Sequence, residues 1–198
     1  MSWTATGITV REIEKLGRSA IDSNELFIED LEVGDDEVEG QVGQGFRYLI
    51  DGLNSERIVV SLEGVGIGQT ALELAAKYAN ERVVFDRPIG QNQAVAHPLA
   101  DSWIRLESAR LMAMHAAELY DDHHNCGIQA AAAKYLGAEA GFDACDRAMS
   151  THGGYAYAKE YHIERLWREA RLLRNAPFSQ EMVLNYISTQ ALNLPRAY

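Results

Sequence analysis

From Gly45 to the break at Pro88 and Gly90 the sequence keeps one helical periodicity, and no other feature narrows the fold as much. Phe46, Leu49, Ile50 and Leu53 recur at the spacing of a single helix face, and the pattern continues through Leu72, Ala75, Ala76 and Ala79. Gly64, Gly66, Gly68 and Ala71 lie inside it; such small residues let a second helix approach closely and mark a place to bend. A second helix is expected from about Pro98 to Tyr120, with Leu99, Trp103 and Leu106 on one face, closed by "DDHHNCG". An alanine-rich third runs from Ile128 to Ser150. Two shorter ones cover His162 to Leu173 and Gln180 to Leu192. Long helices joined by short connections predict a mainly α protein built as an antiparallel bundle.

The segment before this bundle is different. "ITVREIEK" and "NELFIEDLEVG" are short and β-prone, and an acidic run from Glu29 to Glu39 follows. That run lacks the alternating ligands and central glycine of a calcium loop, so it reads as a solvated loop. The expected organisation is residues 1–40 as an incomplete β-segment and 41–198 as the helical domain. Two strands alone are marginal in water, so these should pair outside the chain or pack loosely on helices.

The net charge of −11 opposes nucleic acid or an anionic membrane as partner, because phosphate surfaces require basic patches. No run of about 18 apolar residues appears, so no membrane-spanning helix is expected. The opening residues show no secretory leader, and two cysteines without a Cys-x-x-Cys suit a reducing cytoplasm.

Within "GLNSERIVV", Leu49, Leu53, Glu56 and Val60 share a helix face, so Glu56 is an acid on an apolar stripe. Burial there would raise its pKa toward that of a general base; the alternative is a salt-bridged structural acid, and Glu63 is a rival on the same stripe. In "ERVVFDRPIGQNQ", Arg82 could grip a phosphate and Gln93 a ring edge, although surface Arg and Gln are common. Gly153 and Gly154 of "STHGGYAYAKEY" admit a close backbone approach to a ligand or simply form a tight turn. His123 and His124 are adjacent on a polar turn, and neither a His-Glu-x-x-His nor a Glu-x-x-His pair occurs, so no metal is expected.

Taken together, "ITVREIEKLGRSAIDSNELFIEDLEV", "ERVVFDRPIGQNQAVAHPLAD" and "HGGYAYAKEYHIERLWREAR" resemble, in order and spacing, the acyl-CoA dehydrogenase family over essentially the whole chain. The resemblance implies a four-helix C-terminal domain preceded by remnant strands of the family's middle β-domain, and FAD as cofactor. It assigns flavin contacts to Arg82 and Gln93, acting on a neighbouring subunit's flavin, and to Gly153 and Gly154. Ser150 stands where the family has Gln. Ser179, Gln180 and Glu181 match a further flavin-contacting "T-S-Q/E" segment. Many members keep their catalytic carboxylate in "Y-E-G-T", which is "APFS" here with Pro177 at the acid's position. Members of the isovaleryl-CoA and long-chain type instead carry it directly before an Arg on the first helix, which "NSER" matches. The resemblance therefore implies Glu56 as base, with Asn54, Ser55 and Arg57 lining the acyl-thioester end. It also implies acyl-CoA as substrate, a homo-oligomer (dimer or tetramer) and an electron-transfer flavoprotein-type acceptor. Relative to the family the N-terminal helical domain and most of the β-domain are missing. A separate N-terminal polypeptide would complete the enzyme; the other reading is a non-catalytic helical oligomerisation module that binds no flavin.

Overall fold

The computed structural model describes residues 7–196, and of Asp51 the backbone alone. Residues 1–6, which open the expected β-segment and the stretch read for a leader, lie outside the described residues, as do 197–198. The chain forms two compact units that divide between Asp51 and Gly52, inside the first helix.

In the first unit, β1 (Ile8–Glu12) and β2 (Asn24–Ile28) pair antiparallel, from Ile8 opposite Ile28 to Glu12 opposite Asn24. The two strands expected to lack partners thus pair with each other. Neither face is covered within this unit: Val10, Leu26, Phe27 and Ile28 are all exposed. The acidic run forms a single 3-10 turn at Asp35–Glu37, where the Gly34 amide donates to the Glu37 carboxylate at 3.0 Å.

The helices are α1 (Gly45–Glu81), α2 (Gln93–Asp121), α3 (Gly127–His152), α4 (Ile163–Leu172) and α5 (Gln180–Gln190). The central element is α3, which packs on α2, α4 and α5. It meets α1 at near-backbone contact. A Cβ on Gly137 would lie 2.5 Å from the Ser61 carbonyl oxygen, and one on Gly141 would lie 2.3 Å from that of Gly64. The Ser61 hydroxyl, fully buried, donates to the Ala133 carbonyl at 2.7 Å across the same seam. Where backbones come this close, alanines fill the remaining space: Ala71 and Ala75 of α1 meet Cys145 and Ala148 of α3, with Ile163, Leu166 and Ala170 of α4 beyond them. Leu106 of α2 packs with Val65 and Leu72 of α1 and with Ala140 and Ala144 of α3. By length and composition α1 is also apolar enough to cross a bilayer, against the expectation drawn from the lack of a run of about 18 apolar residues; part of that apolar surface is the bundle's core.

Three expectations need correction. First, α2 begins at Gln93, not Pro98, because the Asn92 carbonyl accepts from the amides of Val95 and Ala96 and starts the helix ahead of the proline. Second, Trp103 is 61% exposed, whereas Leu106 is buried and Leu99 packs against the core from the same face. Third, the break after α1 is a small hairpin, β3 (Val83–Val84) with β4 (Arg87–Pro88). Its turn holds Phe85 and Asp86 at φ of 52° and 63°, the left-handed region that side chains seldom adopt.

Candidate functional site

The C-terminal end of α3 borders a cavity of about 550 Å³ lined by Tyr78, Arg82, Ser150, His152, Gly153 and Gly154, among others. Three local features create it. Gly153 leaves α3 at φ 58°, a turn that a side chain would strain. Neither Gly153 nor Gly154 has any atom within 4 Å of a notional Cβ, so the backbone here is open to a ligand. Arg82 continues α1, its amide bonded to the Tyr78 carbonyl at 2.8 Å, and its exposed side chain forms no salt bridge among the described residues. The cavity floor is aromatic. Tyr78 stacks on the buried His152 with centroids 4.4 Å apart, and Tyr161 meets both rings edge-on. The His152 Nδ1 donates to the Ala148 carbonyl at 2.9 Å, because a carbonyl can only accept. Desolvation first, then Glu160 and the neighbouring tyrosines, raise the Tyr161 phenol's pKa, while the Arg82 charge pulls it down.

Ser150 and Gly153 also line a second cavity, of about 520 Å³, walled by Met149, Tyr157, Trp167 and Arg168. Ser150 reaches a third, of about 470 Å³, beside Ala94 and His97. The exposed Gln93 directly precedes Ala94 at the start of α2. An unpaired guanidinium, open glycine backbone and aromatic walls suit a pyrophosphate with attached rings, so these residues fit a dinucleotide such as FAD. Arg82, Ser150, Gly153 and Gly154, expected from the sequence to contact flavin, line one cavity together with Tyr78, His152 and Tyr155, which the sequence did not single out because their aromatic spacing also suits core.

Glu56 lies elsewhere on the bundle and is exposed, a correction to the expected burial. The core face of α1 runs through Arg57, Ile58, Ser61, Gly64 and Val65, so the stripe of Glu56, Val59 and Gly66 faces outward, with Glu63 half-buried beside it. Arg57 points the other way. Its side chain is 8% exposed, donates to Asn54 Oδ1 at 2.9 Å, and sits 4.8 Å from the Phe178 ring centre and 5.5 Å from that of Tyr186. Its buried Nε has no hydrogen-bond partner among the described residues, and desolvation lowers its pKa against the opposing pull of Tyr186, Cys126 and Glu56. The Ser55 hydroxyl donates to the Gly52 carbonyl at 3.0 Å. Of the three residues expected to line a thioester, Asn54, Ser55 and Arg57, Arg57 is thus turned into the helix seam.

The Ser179–Glu181 segment is a third location. Ser179 caps α5, its hydroxyl accepting from the Met182 amide at 3.3 Å. Gln180 is buried and its amide is spent within the protein. Its Oε1 accepts from Lys134 Nζ at 2.9 Å, and its Nε2 donates to the Tyr135 carbonyl at 3.2 Å and to Glu139 at 2.8 Å. Glu181 is exposed; hydrogen bonds from its own backbone amide and from Ser179 hold its carboxyl below the ordinary range. Among the described residues no three His, Cys, Asp or Glu side chains converge on a metal-sized site.

Comparison with known proteins locates this arrangement. A family profile described as "Acyl-CoA dehydrogenase, C-terminal domain" matches residues 43–192. The chain is 42% identical over 176 residues to acyl-CoA dehydrogenase FadE12 of Mycobacterium tuberculosis, covering 88% of this chain and 45% of that protein. It is 40% identical over 167 residues to an acyl-CoA dehydrogenase of Bacillus subtilis, covering 84% and 44%. A solved structure of glutaryl-coenzyme A dehydrogenase in complex with glutaryl-CoA superimposes with a TM-score of 0.91 at 33% identity, over 97% of this chain and 49% of that one. The chain spans about half the length of the curated relatives it matches.

Proposed function

Since the chain belongs to the acyl-CoA dehydrogenase family, matching its C-terminal domain, we propose that it supplies the base and part of the flavin-binding surface of an enzyme that dehydrogenates acyl-CoA thioesters. The observation that carries this reading is the convergence of Arg82, Ser150, Gly153 and Gly154 on one open cavity. Arg82 would hold the cofactor's pyrophosphate, the glycines would let its backbone-facing edge approach, and Gln93 would contact it from the start of α2. Ser179 and Glu181 lie outside that cavity, which supports a second flavin contact made by a different face of the chain. Such a division suits an assembly in which each flavin lies between two copies, a dimer or tetramer.

Bound FAD would supply the hydride acceptor. This chain's part is the proton. The outward carboxylate of Glu56 takes the proton from the carbon next to the thioester carbonyl as the β-hydrogen leaves with its electron pair, giving the trans-2-enoyl thioester. The thioester acidifies that proton, and a carboxylate fixed on a rigid helix keeps the reacting atoms in line. Pro177 has no group to do this from the loop before α5. The uncovered faces of the β1–β2 hairpin support a partner polypeptide that completes the sheet. A cytoplasmic location and an electron-transfer flavoprotein-type acceptor belong to the same reading. Purifying the chain alone, and with a co-expressed N-terminal region of a relative, and recording the visible spectrum tests it. Bound flavin in either preparation is expected. Its absence from both leaves the non-catalytic oligomerisation module as the better account.

A further inference from the structure

The loop before α5 holds a buried cation with no part in the function proposed above. Lys134 of α3 is fully buried, and its Nζ donates to the Phe178 carbonyl at 2.5 Å and to Gln180 Oε1 at 2.9 Å. Gln180 is in turn tied to Glu139, whose carboxylate also takes the Arg174 guanidinium at 2.8 Å. Desolvation pushes the Lys134 ammonium down to about 8, against the upward pull of Glu139 and Glu181. A fully buried lysine is costly, so the contacts it makes must be offsetting that cost. Those contacts fix the main chain of Phe178. The Phe178 ring and that of Tyr186 of α5 make the slot that takes the Arg57 guanidinium, with centres 4.8 Å and 5.5 Å from it.

We propose that Lys134 is a positioning residue for Glu56: by pinning Phe178 it holds the slot that grips Arg57, and the gripped Arg57 sets the rotation of α1 that turns Glu56 outward. Consecutive residues of a helix project about 100° apart, so a side chain fixed at one position fixes the direction of the next. Arg57 suits this role because its guanidinium lies over both rings within cation–π distance and is shielded from water. With no partner for Nε among the described residues, the two rings and the Nη1 hydrogen bond to Asn54 are what hold the group. Among the described residues Arg57 is the first buried residue of α1, and the close seam against α3 begins only beyond it, at Ser61 and Gly64, so Arg57 fixes the helix at the end where Glu56 sits.

This inference rests on Glu56 being the base, and the test separates the two. Nuclei lying over an aromatic face carry a ring-current shift, so the Arg57 side-chain resonances of the 198-residue chain report the slot without cofactor or turnover. In Lys134→Met those resonances are expected to move toward the values of an unstacked arginine. In Phe178→Leu, which keeps the lysine's carbonyl partner but removes the ring, they are expected to move as far. In the flavin-loaded assembly both variants should lower kcat about tenfold with KM for acyl-CoA within about twofold, since a misaimed base leaves substrate binding intact. Unchanged Arg57 resonances in Phe178→Leu, or KM rising with kcat preserved in either variant, would overturn the positioning role. Should Lys134→Met not fold, the Phe178→Leu result decides. Full turnover in Glu56→Gln would sink the proposed base instead, with the resonance shifts still reporting on the slot.

Discussion

Lys134 makes the folded state sensitive to alkaline pH in a direction opposite to the usual one. Its ammonium is ordinarily half-deprotonated at 10.5, and in the fold burial pushes this down to about 8. Below pH 8 both folded and unfolded chains carry the proton, and the fold bears the full cost of burying a charge. Between pH 8 and 10.5 the folded chain has released the proton and the unfolded chain has not. The unfolded state then binds more protons, so stability rises with pH across that window. From the two values, the gain between pH 7 and pH 9 is about 1 kcal/mol. The neutral amine keeps two N–H groups, enough for both the Phe178 carbonyl and Gln180. Cys145 acts against this above pH 9: its buried thiol is pushed up to about 12, so stability is lost there as the unfolded thiol ionises. Urea unfolding of the wild type and Lys134→Met at pH 7, 8 and 9 cancels the cysteine and the exposed groups. The wild type should gain on the variant by about 1 kcal/mol from pH 7 to 9. A difference that stays flat over that range would refute the depressed value and the argument from desolvation.

Other consequences follow from the same geometry. Gly141→Ala would push a methyl group to 2.3 Å from the Gly64 carbonyl oxygen, and we expect a loss of about 3 kcal/mol by thermal or urea unfolding. Gly66→Ala, with nothing within 4 Å, should be neutral or slightly stabilising. Arg82→Gln removes the cation of the α3-end cavity and should weaken FAD binding roughly 10- to 100-fold by flavin fluorescence, with no change in melting temperature. Asp101, held below its ordinary pKa first by its hydrogen bond from Arg147, contributes stability at neutral pH that is lost as pH falls through its folded value; Asp101→Asn should flatten the acid limb of a melting-temperature profile.

The helices were legible because periodicity and breakers act locally. Pro88, Gly90 and the "DDHHNCG" and "THGGY" stretches interrupt the long helices close to where the structure does. The facing of α1 was not legible. Leu49, Leu53, Glu56 and Val60 look like a buried stripe because they are large and apolar around one acid. The real core face is built from Ser61, Gly64, Gly68 and Ala71, since α1 and α3 meet at backbone distance and large side chains are excluded from that seam. Hydropathy periodicity weights size, so it assigned Glu56 to the core. The slot around Arg57 joins α1 to a loop and a helix more than 100 residues later, and no local pattern encodes it. The cavity at the end of α3 was partly visible because the glycines and Arg82 are locally unusual, whereas its aromatic walls are common in helical cores. Gln180 matched a cofactor-contacting segment by position, but its amide is consumed by Lys134, Tyr135 and Glu139, which only tertiary contacts reveal.

The central claim is that Glu56 is the carboxylate that removes the substrate's α-proton. The most direct measurement mixes a saturated acyl-CoA with the flavin-loaded assembly anaerobically and follows the oxidised flavin's visible absorbance, in the wild type, Glu56→Gln and Glu63→Gln. We expect rapid bleaching in the wild type and Glu63→Gln, and a rate at least about a thousandfold lower in Glu56→Gln, with flavin content unchanged in all three. Bleaching of Glu56→Gln at the wild-type rate would contradict the account, and loss of bleaching in Glu63→Gln alone would move the base two turns along the same helix.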